Sequence, residues 1–467
     1  MGGFIFRKYR GMHTSSVIIS LLSVMVLYTY IRLSSITMEI DTLRKRSAPV
    51  EYTLSKERLT DSQHQMNSGI TNSQGMRHTG HSCGRRQVHE VSCSKIIEGD
   101  PNEIIRAKTK MKETGYRVPS DQFITNATQD CVNFRNKYAY DSFVNTEEEK
   151  NFPIAFNILL YKDVAQVEML LRAIYRPQNY YCLHVDGFSP DHVHKAAKSL
   201  ANCFDNVFIV SKTEQVVYKS FQRLQADINC MSDHLDFSEK WKYLINLPSQ
   251  EFPLKTNLEI VKILTIYNNS NDIEGILGSR MMTNRFKYKH KYKNTTSGTY
   301  AIEKTNEKNP NPPHDIRVVK GSAYGIFTRQ FVNYVVNNQI AKDFLQWCRG
   351  VLSPDEYYWS TLNHNPHLKV PGSYKGQADK KKWLAAYASW AGADKCAGKW
   401  MRGVCVFGVG DLNSLVSRNE LFANKFVMDF QQLGLQCLSE WLYNKTVSPL
   451  PFNDYYYKQL NFINNHY

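Results

Sequence analysis

From residue 152 onward the apolar positions follow two alternating rhythms. FPIAFNILLY (152–161) is a short continuous apolar run and predicts a strand. VAQVEMLLRAIY (164–175) places its apolar residues at helical spacing. NYYCLHVD (179–186) and NVFIVS (206–211) return to the strand pattern. SFQRLQADINCMSDHL (220–235) predicts a helix, KWKYLINLP (240–248) a strand and NLEIVKILTIY (257–267) a helix. Strands alternating with amphipathic helices predict an α/β domain with a Rossmann-like, mostly parallel sheet flanked by helices. Ligands of such sheets bind beyond the carboxyl ends of the strands. Asp186 falls at one of those ends, where it serves either a ligand or a strand-end turn.

Residues 268–313 are rich in Asn, Lys, Thr and Pro and predict loops with room for one hairpin. Within them RFKYKHKYK (285–293) alternates cations with aromatics, as a solvated strand face or a glycan contact would. GSAYGIFTRQFVNYVVN (321–337) predicts a turn, a strand and a helix start. In VLSPDEYYWSTL (351–362), Ser353 and Glu356 have the spacing of a capping box, and Pro354 suits a first helical position. The same Glu356 also reads as a catalytic carboxylate, with Asp355 beside it and Tyr357, Tyr358 and Trp359 as an aromatic wall. CVFGVGDLNSL (405–415) has Asn413 where a dinucleotide fingerprint needs its third glycine, so it predicts a turn after a strand.

The amino-terminal pattern differs. Arg7, Lys8 and Arg10 precede an apolar run at 17–31, which flanking residues extend to a short membrane span. The expected order is a cytosolic tail (1–14), a transmembrane signal-anchor (15–33), a polar luminal stem (34–90) and a luminal catalytic domain (91–467). Ten cysteines without a C-x-x-C pair then read as disulfides rather than a zinc ribbon. Asn-x-Ser/Thr sequons at Asn126, Asn268, Asn294 and Asn444 agree with a luminal location. The net charge of +15 points to a polyanionic partner. In the lumen that excludes genomic nucleic acid and leaves nucleotides or glycans.

A luminal α/β domain that takes a nucleotide is most economically a glycosyltransferase using a nucleotide sugar. The chain has no Asp-x-Asp motif to hold a divalent metal on the diphosphate. The leaving diphosphate gains charge as the glycosidic bond breaks, and Lys or Arg can neutralise it in place of a metal. Arg402 and Lys425 are the carboxyl-terminal candidates, against the plainer reading of ordinary surface cations. An inverting transfer also needs a base for the acceptor hydroxyl, which Glu356 would supply.

RAIYRPQNYYCLHVD (172–186), WKYLINLPSQEFPLKTNLEIV (241–261), GSAYGIFTR (321–329), SPDEYYWSTL (353–362), VCVFGVGDLNSL (404–415) and LFANKF (421–426) occur in one order with compatible spacing. Together they resemble the core 2 β-1,6-N-acetylglucosaminyltransferase family. This is glycosyltransferase family 14, which also holds the I-branching enzymes and, more distantly, the peptide O-xylosyltransferases. The resemblance spans about residues 93–437. It implies a type II Golgi membrane protein with a GT-A fold. It implies UDP-GlcNAc as donor without a divalent metal or other cofactor, O-glycosylated glycoproteins as acceptors, and inversion with Glu356 as base. Arg402 and Lys425 match diphosphate-binding cations; Leu159, Asp186 and Tyr218 match other donor-site positions. Glu274, Arg285 and Trp390 match acceptor contacts. Two acceptor-side positions depart from the family: Met282 stands where it has Lys, and Gly392 where it has Tyr.

The resemblance also implies the pairs Cys93–Cys437, Cys131–Cys203, Cys182–Cys230 and Cys396–Cys405. Cys83 and Cys348 are left over; Cys83, in the stem, could join two chains and Cys348 reads as buried and inert. The expected activity is core 2 branch formation, transfer of GlcNAc to the 6-hydroxyl of GalNAc. Core 4 or I branching, peptide O-xylosylation and an inactive luminal glycan-binding protein are the alternatives.

Overall fold

The computed structural model describes residues 88–115, 118–294 and 300–467. The expected tail, the anchor, the stem up to residue 87 and Cys83 lie outside the described residues. Among the described residues no helix is long and apolar enough to cross a membrane. Val88 is already buried, and its N–H donates to Glu440 at 2.9 Å. The packed chain thus includes the last residues assigned to the stem.

Strands β1 (Ile154–Leu160), β2 (Tyr180–Val185), β3 (Val207–Ile209) and β4 (Tyr243–Pro248) run parallel in the order β3-β2-β1-β4. All seven residues of β1 are buried, as a continuous apolar run covered by helices on both faces requires. Helices Val164–Ile174, Phe221–Phe237 and Asn257–Tyr267 stand where the 3.6-residue spacing predicts them, and a further helix, Asp191–Ala201, connects β2 to β3. After β5 (Glu251–Pro253) come the predicted hairpin, β6 (Tyr288–Asn294) with β7 (Tyr300–Lys308), and β8 (Ile326–Thr328), which closes the sheet antiparallel to β4. β9 (Ala386–Ala388), β10 (Lys399–Met401), β11 (Val404–Val406) and β12 (Phe422–Asn424) complete the strands. The result is a mixed α/β fold around a largely parallel sheet. The chain moves outward from β1 through β2 to β3, then returns to β1's other side with β4. That reversal opens a crevice at the carboxyl ends of β1 and β4.

A second small sheet carries the end of the chain to that crevice. β12 pairs with β5, which begins three residues after β4 ends, and with β9. Gln166, buried on helix Val164–Ile174, locks the join. Its Nε2 donates to the carbonyls of Ser249 (3.1 Å) and Phe426 (2.9 Å), and its Oε1 accepts from the N–H of Met428 (2.9 Å). Lys425 is therefore held at the end of β4 although it lies far along the chain.

Two apolar cores flank the sheet. In the second, Tyr358 stacks on Phe344 with ring centroids 5.6 Å apart, and Trp359 lies against Phe327 at 5.1 Å. The expected aromatic wall around Glu356 is corrected here. Tyr357, Tyr358 and Trp359 are fully buried: Tyr358 and Trp359 lie in this core, whereas Tyr357 packs in a separate small cluster with Val318 and Val351, its ring against Phe286. All four expected disulfides form: Cys93–Cys437, Cys131–Cys203, Cys182–Cys230 and Cys396–Cys405. Cys348 is a free, buried thiol. Asn126 and Asn268 are exposed, whereas Asn444 is half-buried with its side-chain carbonyl enclosed; the Asn294 side chain is outside the described residues.

The fold also encloses a charge pair. Lys381 Nζ lies 2.7 Å from Asp272 Oδ1, both side chains at 0% exposure, and Asp272 Oδ2 accepts from Tyr267 Oη and Leu384 N. Lys381→Met would leave the carboxylate buried without its cation, a change that costs about 3–4 kcal/mol. The expected result is a lower denaturant midpoint with an unchanged slope; an unaltered midpoint would show that the pair contributes no net stability.

Candidate active site

Leu159 sits next to last in β1, opposite His184 of β2 and Pro248 of β4. Asp186 follows β2. Its Oδ1 accepts from the N–H groups of Phe188 (2.9 Å) and Val216 (3.0 Å). It is thus the strand-end turn residue of one reading, and it also tethers the loop that leads to Tyr218. Its Oδ2 accepts nothing from the described residues.

Tyr218 is 62% exposed, and the Arg402 guanidinium lies over its ring, 4.6 Å from the centroid. Arg402 is presented by the two-residue turn between β10 and β11. There Arg402 and Gly403 both have positive φ (53° and 80°), the backbone of a type I′ hairpin. Such a conformation is costly for arginine, and the Cys396–Cys405 bridge pins the hairpin that imposes it. Lys425 follows β12. Burial and then the nearby Arg402 charge push its ammonium below the usual lysine range. Neither cation forms an ion pair among the described residues. Two cations held near one another without a counter-ion make a place for an anion.

Glu356 opens helix Asp355–Asn363, but not through a capping box. Ser353 has φ 52°, in the left-handed region, and its N–H donates to the carbonyl of Lys219 at 2.8 Å. Its side chain caps nothing, and Pro354 occupies the N-cap rather than the first helical position. The Glu356 carboxylate instead meets Arg285 Nη1 at 2.7 Å and Lys320 Nζ at 3.0 Å. Charge-assisted contacts of this kind outcompete the neutral N–H of a cap. The Ser353–Lys219 bond joins the start of this helix to the residue after Tyr218, so the carboxylate group and the cation group share one framework.

Glu274 lies near the same charges. Burial raises its pKa, with Lys320 and Arg280 opposing and Glu356 adding to the rise. Trp390 is 55% exposed and bridges to Val404, two residues from Arg402. Gly392 has φ 87° in the turn after Trp390, so a tyrosine here would be strained. Met282 is likewise exposed with φ 50°. Among the described residues Trp390 makes no hydrogen bond or ring contact with Glu356, whereas Arg285 touches it directly.

Beneath the helix start lies a buried polar cluster that the sequence pattern did not single out. Arg223 Nη1 donates to Asp227 Oδ2 at 2.6 Å, and Asn157 and Asn246 also donate to Asp227. Asp355 is buried with Oδ1 unpartnered, and burial pushes its pKa up to about 6 against the pull of Arg223. Adjacent carboxylates thus have different surroundings, Asp355 inward and Glu356 outward. Lys320 and Gln166 were missed as well. Lys320 borders GSAYGIFTR, but nothing local marks either residue. One group of potential metal ligands comes together among the described residues, Cys396, Cys405 and Asp411. Its sulfurs are joined to each other, and Asp411 accepts from Ala397 N and Gly408 N, so it is a structural knot.

The carboxyl end of a parallel sheet, with an ion-paired carboxylate and two uncompensated cations on one framework, provides the groups that a transfer from an anionic donor uses. The comparisons make that specific. A family model described as Core-2/I-Branching enzyme matches residues 154–416, more than half of the chain. The chain belongs to that family and is a branching glycosyltransferase. It is 36% identical over 389 residues to a human protein named beta-1,3-galactosyl-O-glycosyl-glycoprotein beta-1,6-N-acetylglucosaminyltransferase, covering 79% of this chain and 88% of the relative. A Bos taurus protein of the same name is 38% identical over 381 residues (77% and 86%). A Danio rerio protein of that name, numbered 4, is 38% identical over 366 residues (76% and 84%).

Proposed function

We propose that this enzyme transfers GlcNAc from UDP-GlcNAc to the 6-hydroxyl of GalNAc on core 1 O-glycans, with inversion. The observation that carries the reading is one framework holding the Glu356 carboxylate together with the uncompensated pair Arg402 and Lys425. Glu356 takes the proton of the acceptor hydroxyl as its oxygen attacks the anomeric carbon. The bond to the diphosphate breaks, and Arg402 and Lys425 meet the charge that develops on UDP. Leu159, Asp186 and Tyr218 line the donor side of this GT-A-type arrangement; Glu274, Arg285 and Trp390 line the acceptor side. A type II Golgi protein with a luminal catalytic domain accords with the basic residues ahead of an apolar run and with four disulfides.

The test is a panel of acceptors offered with radiolabelled UDP-GlcNAc. Galβ1-3GalNAc should be the preferred substrate. Preference for GlcNAcβ1-3GalNAc or polylactosamine would replace the reading by core 4 or I branching, and no transfer to any of them would favour a glycan-binding protein.

The missing Asp-x-Asp motif and the two cations lead to a second expectation, that turnover survives excess EDTA. Loss of activity that manganese restores would overturn it. Arg402→Ala and Lys425→Ala should each weaken UDP binding and lower kcat, by about tenfold or more, as loss of a charged hydrogen bond does. Titration calorimetry with UDP and steady-state rates check this.

A further inference from the structure

The Glu356 carboxylate is held unevenly. Arg285 Nη1 and Lys320 Nζ both converge on Oε2, at 2.7 and 3.0 Å. Oε1 accepts no hydrogen bond from the described residues. The two cations arrive on separate segments. Arg285 sits in the short helix Asn284–Lys287, whereas Lys320 is delivered by an antiparallel bridge between residues 276 and 320.

The backbone beside Lys320 is fixed to the same helix. Gly321 N donates to the Glu356 carbonyl at 2.7 Å. A Cβ at Gly321 would lie 2.0 Å from Ser360 Oγ and 2.3 Å from the Glu274 carbonyl, so only glycine allows this approach. Lys320 is mostly enclosed, with its side chain 14% exposed. Its charge also acts on Glu274.

We propose that Lys320 is a positioning residue for the transfer: with Arg285 it pins Oε2 so that Oε1 is presented to the acceptor hydroxyl. The inference deepens the reading of Glu356 as base and rests on it. A terminal carboxylate torsion is a broad, two-fold rotor, and one contact leaves either oxygen able to face the substrate. A hydrogen bond from Arg285 and the charge of Lys320, brought to one oxygen on separate segments, remove that freedom. The acceptor O–H proton then passes to Oε1 while the acceptor oxygen bonds the anomeric carbon. The electron pair of the breaking C–O bond leaves with UDP, and Lys320 keeps its proton throughout. Misplacement of a reacting group by about 1 Å can cost on the order of 10²-fold in rate.

The experiment compares Lys320→Met, Lys320→Arg, Glu356→Gln and the double variant Lys320→Met/Glu356→Gln in the full chain. Lys320→Met should lower kcat by about 10- to 100-fold with the KM for UDP-GlcNAc unchanged. Lys320→Arg should restore most of it. In the Glu356→Gln background Lys320→Met should cost nothing further, because a residue acting through Glu356 has nothing left to position. If Lys320→Met fails to fold, Lys320→Gln carries the same comparison. Native kcat in the neutral variant, or an equal loss in both backgrounds, overturns the proposal. Native turnover in Glu356→Gln would remove the base reading itself, whereas a disabled Glu356→Gln beside a normal Lys320→Met would remove only the role of Lys320.

Discussion

Glu356→Gln should yield a folded protein that binds UDP as the native enzyme does and turns over at least 10²-fold more slowly, the low end for loss of a general base. The amide keeps the shape of the side chain, and its carbonyl can still accept from Arg285 or Lys320. It has no basic oxygen to take the acceptor proton. Folding should survive for two reasons. No capping box is lost, since the Ser353 side chain does not bond this residue, and the carboxylate is 28% exposed, so its ion pairs are partly screened and add little stability. Rates with saturating donor and acceptor, together with UDP titration, check the expectation. Near-native turnover would reduce Glu356 to a structural ion-pair partner.

The second large effect is on stability. Cys93 and Cys437 join residues 344 apart, tying the first described helix, Cys93–Glu98, to Gln432–Val447 near the chain's end. Loop-entropy reasoning assigns such a closure about 6 kcal/mol, as an upper value because the other bridges already restrict the unfolded chain. Replacing both cysteines by alanine should therefore lower the denaturant midpoint strongly under non-reducing conditions. The same relation gives about 2.5 kcal/mol for Cys396–Cys405, whose ends are 9 residues apart. The comparison separates entropy from local packing: equal losses from the two bridges would refute the loop-length argument. Loss of Cys396–Cys405 should instead act on the turn that presents Arg402, and so on UDP affinity.

The difference between what the pattern revealed and what it hid is clearest in two similar strings. Thr256 and Glu259 have the Ser/Thr-x-x-Glu spacing, and they form a capping box: Thr256 is extended, its hydroxyl accepts from Glu259 N at 3.3 Å, and Glu259 returns a bond to Thr256 N at 2.9 Å. Ser353 and Glu356 have the same spacing and form none. Nothing within four residues distinguishes them. The second string fails because Lys219 draws the Ser353 backbone into the left-handed region and Arg285, 71 residues away in sequence, claims the carboxylate.

By itself the sequence determined the α/β class, most of the strand–helix alternation over 152–267 and the residues of β1, because hydrophobic periodicity is a local property and burial of the resulting faces follows from it. Resemblance in motif order brought out Glu356, Arg402, Lys425 and the disulfide pairs, which periodicity alone left undecided. Only the tertiary structure decided which charges meet. Lys320 reaches Glu356 by way of a bridge to residue 276, Gln166 fixes the segment after Lys425 from 262 residues away, and Asp355 turns inward toward Arg223 while its neighbour turns out. A side chain's partner is set by the segments that the sheet topology brings beside it, and that choice leaves no periodic trace along the chain.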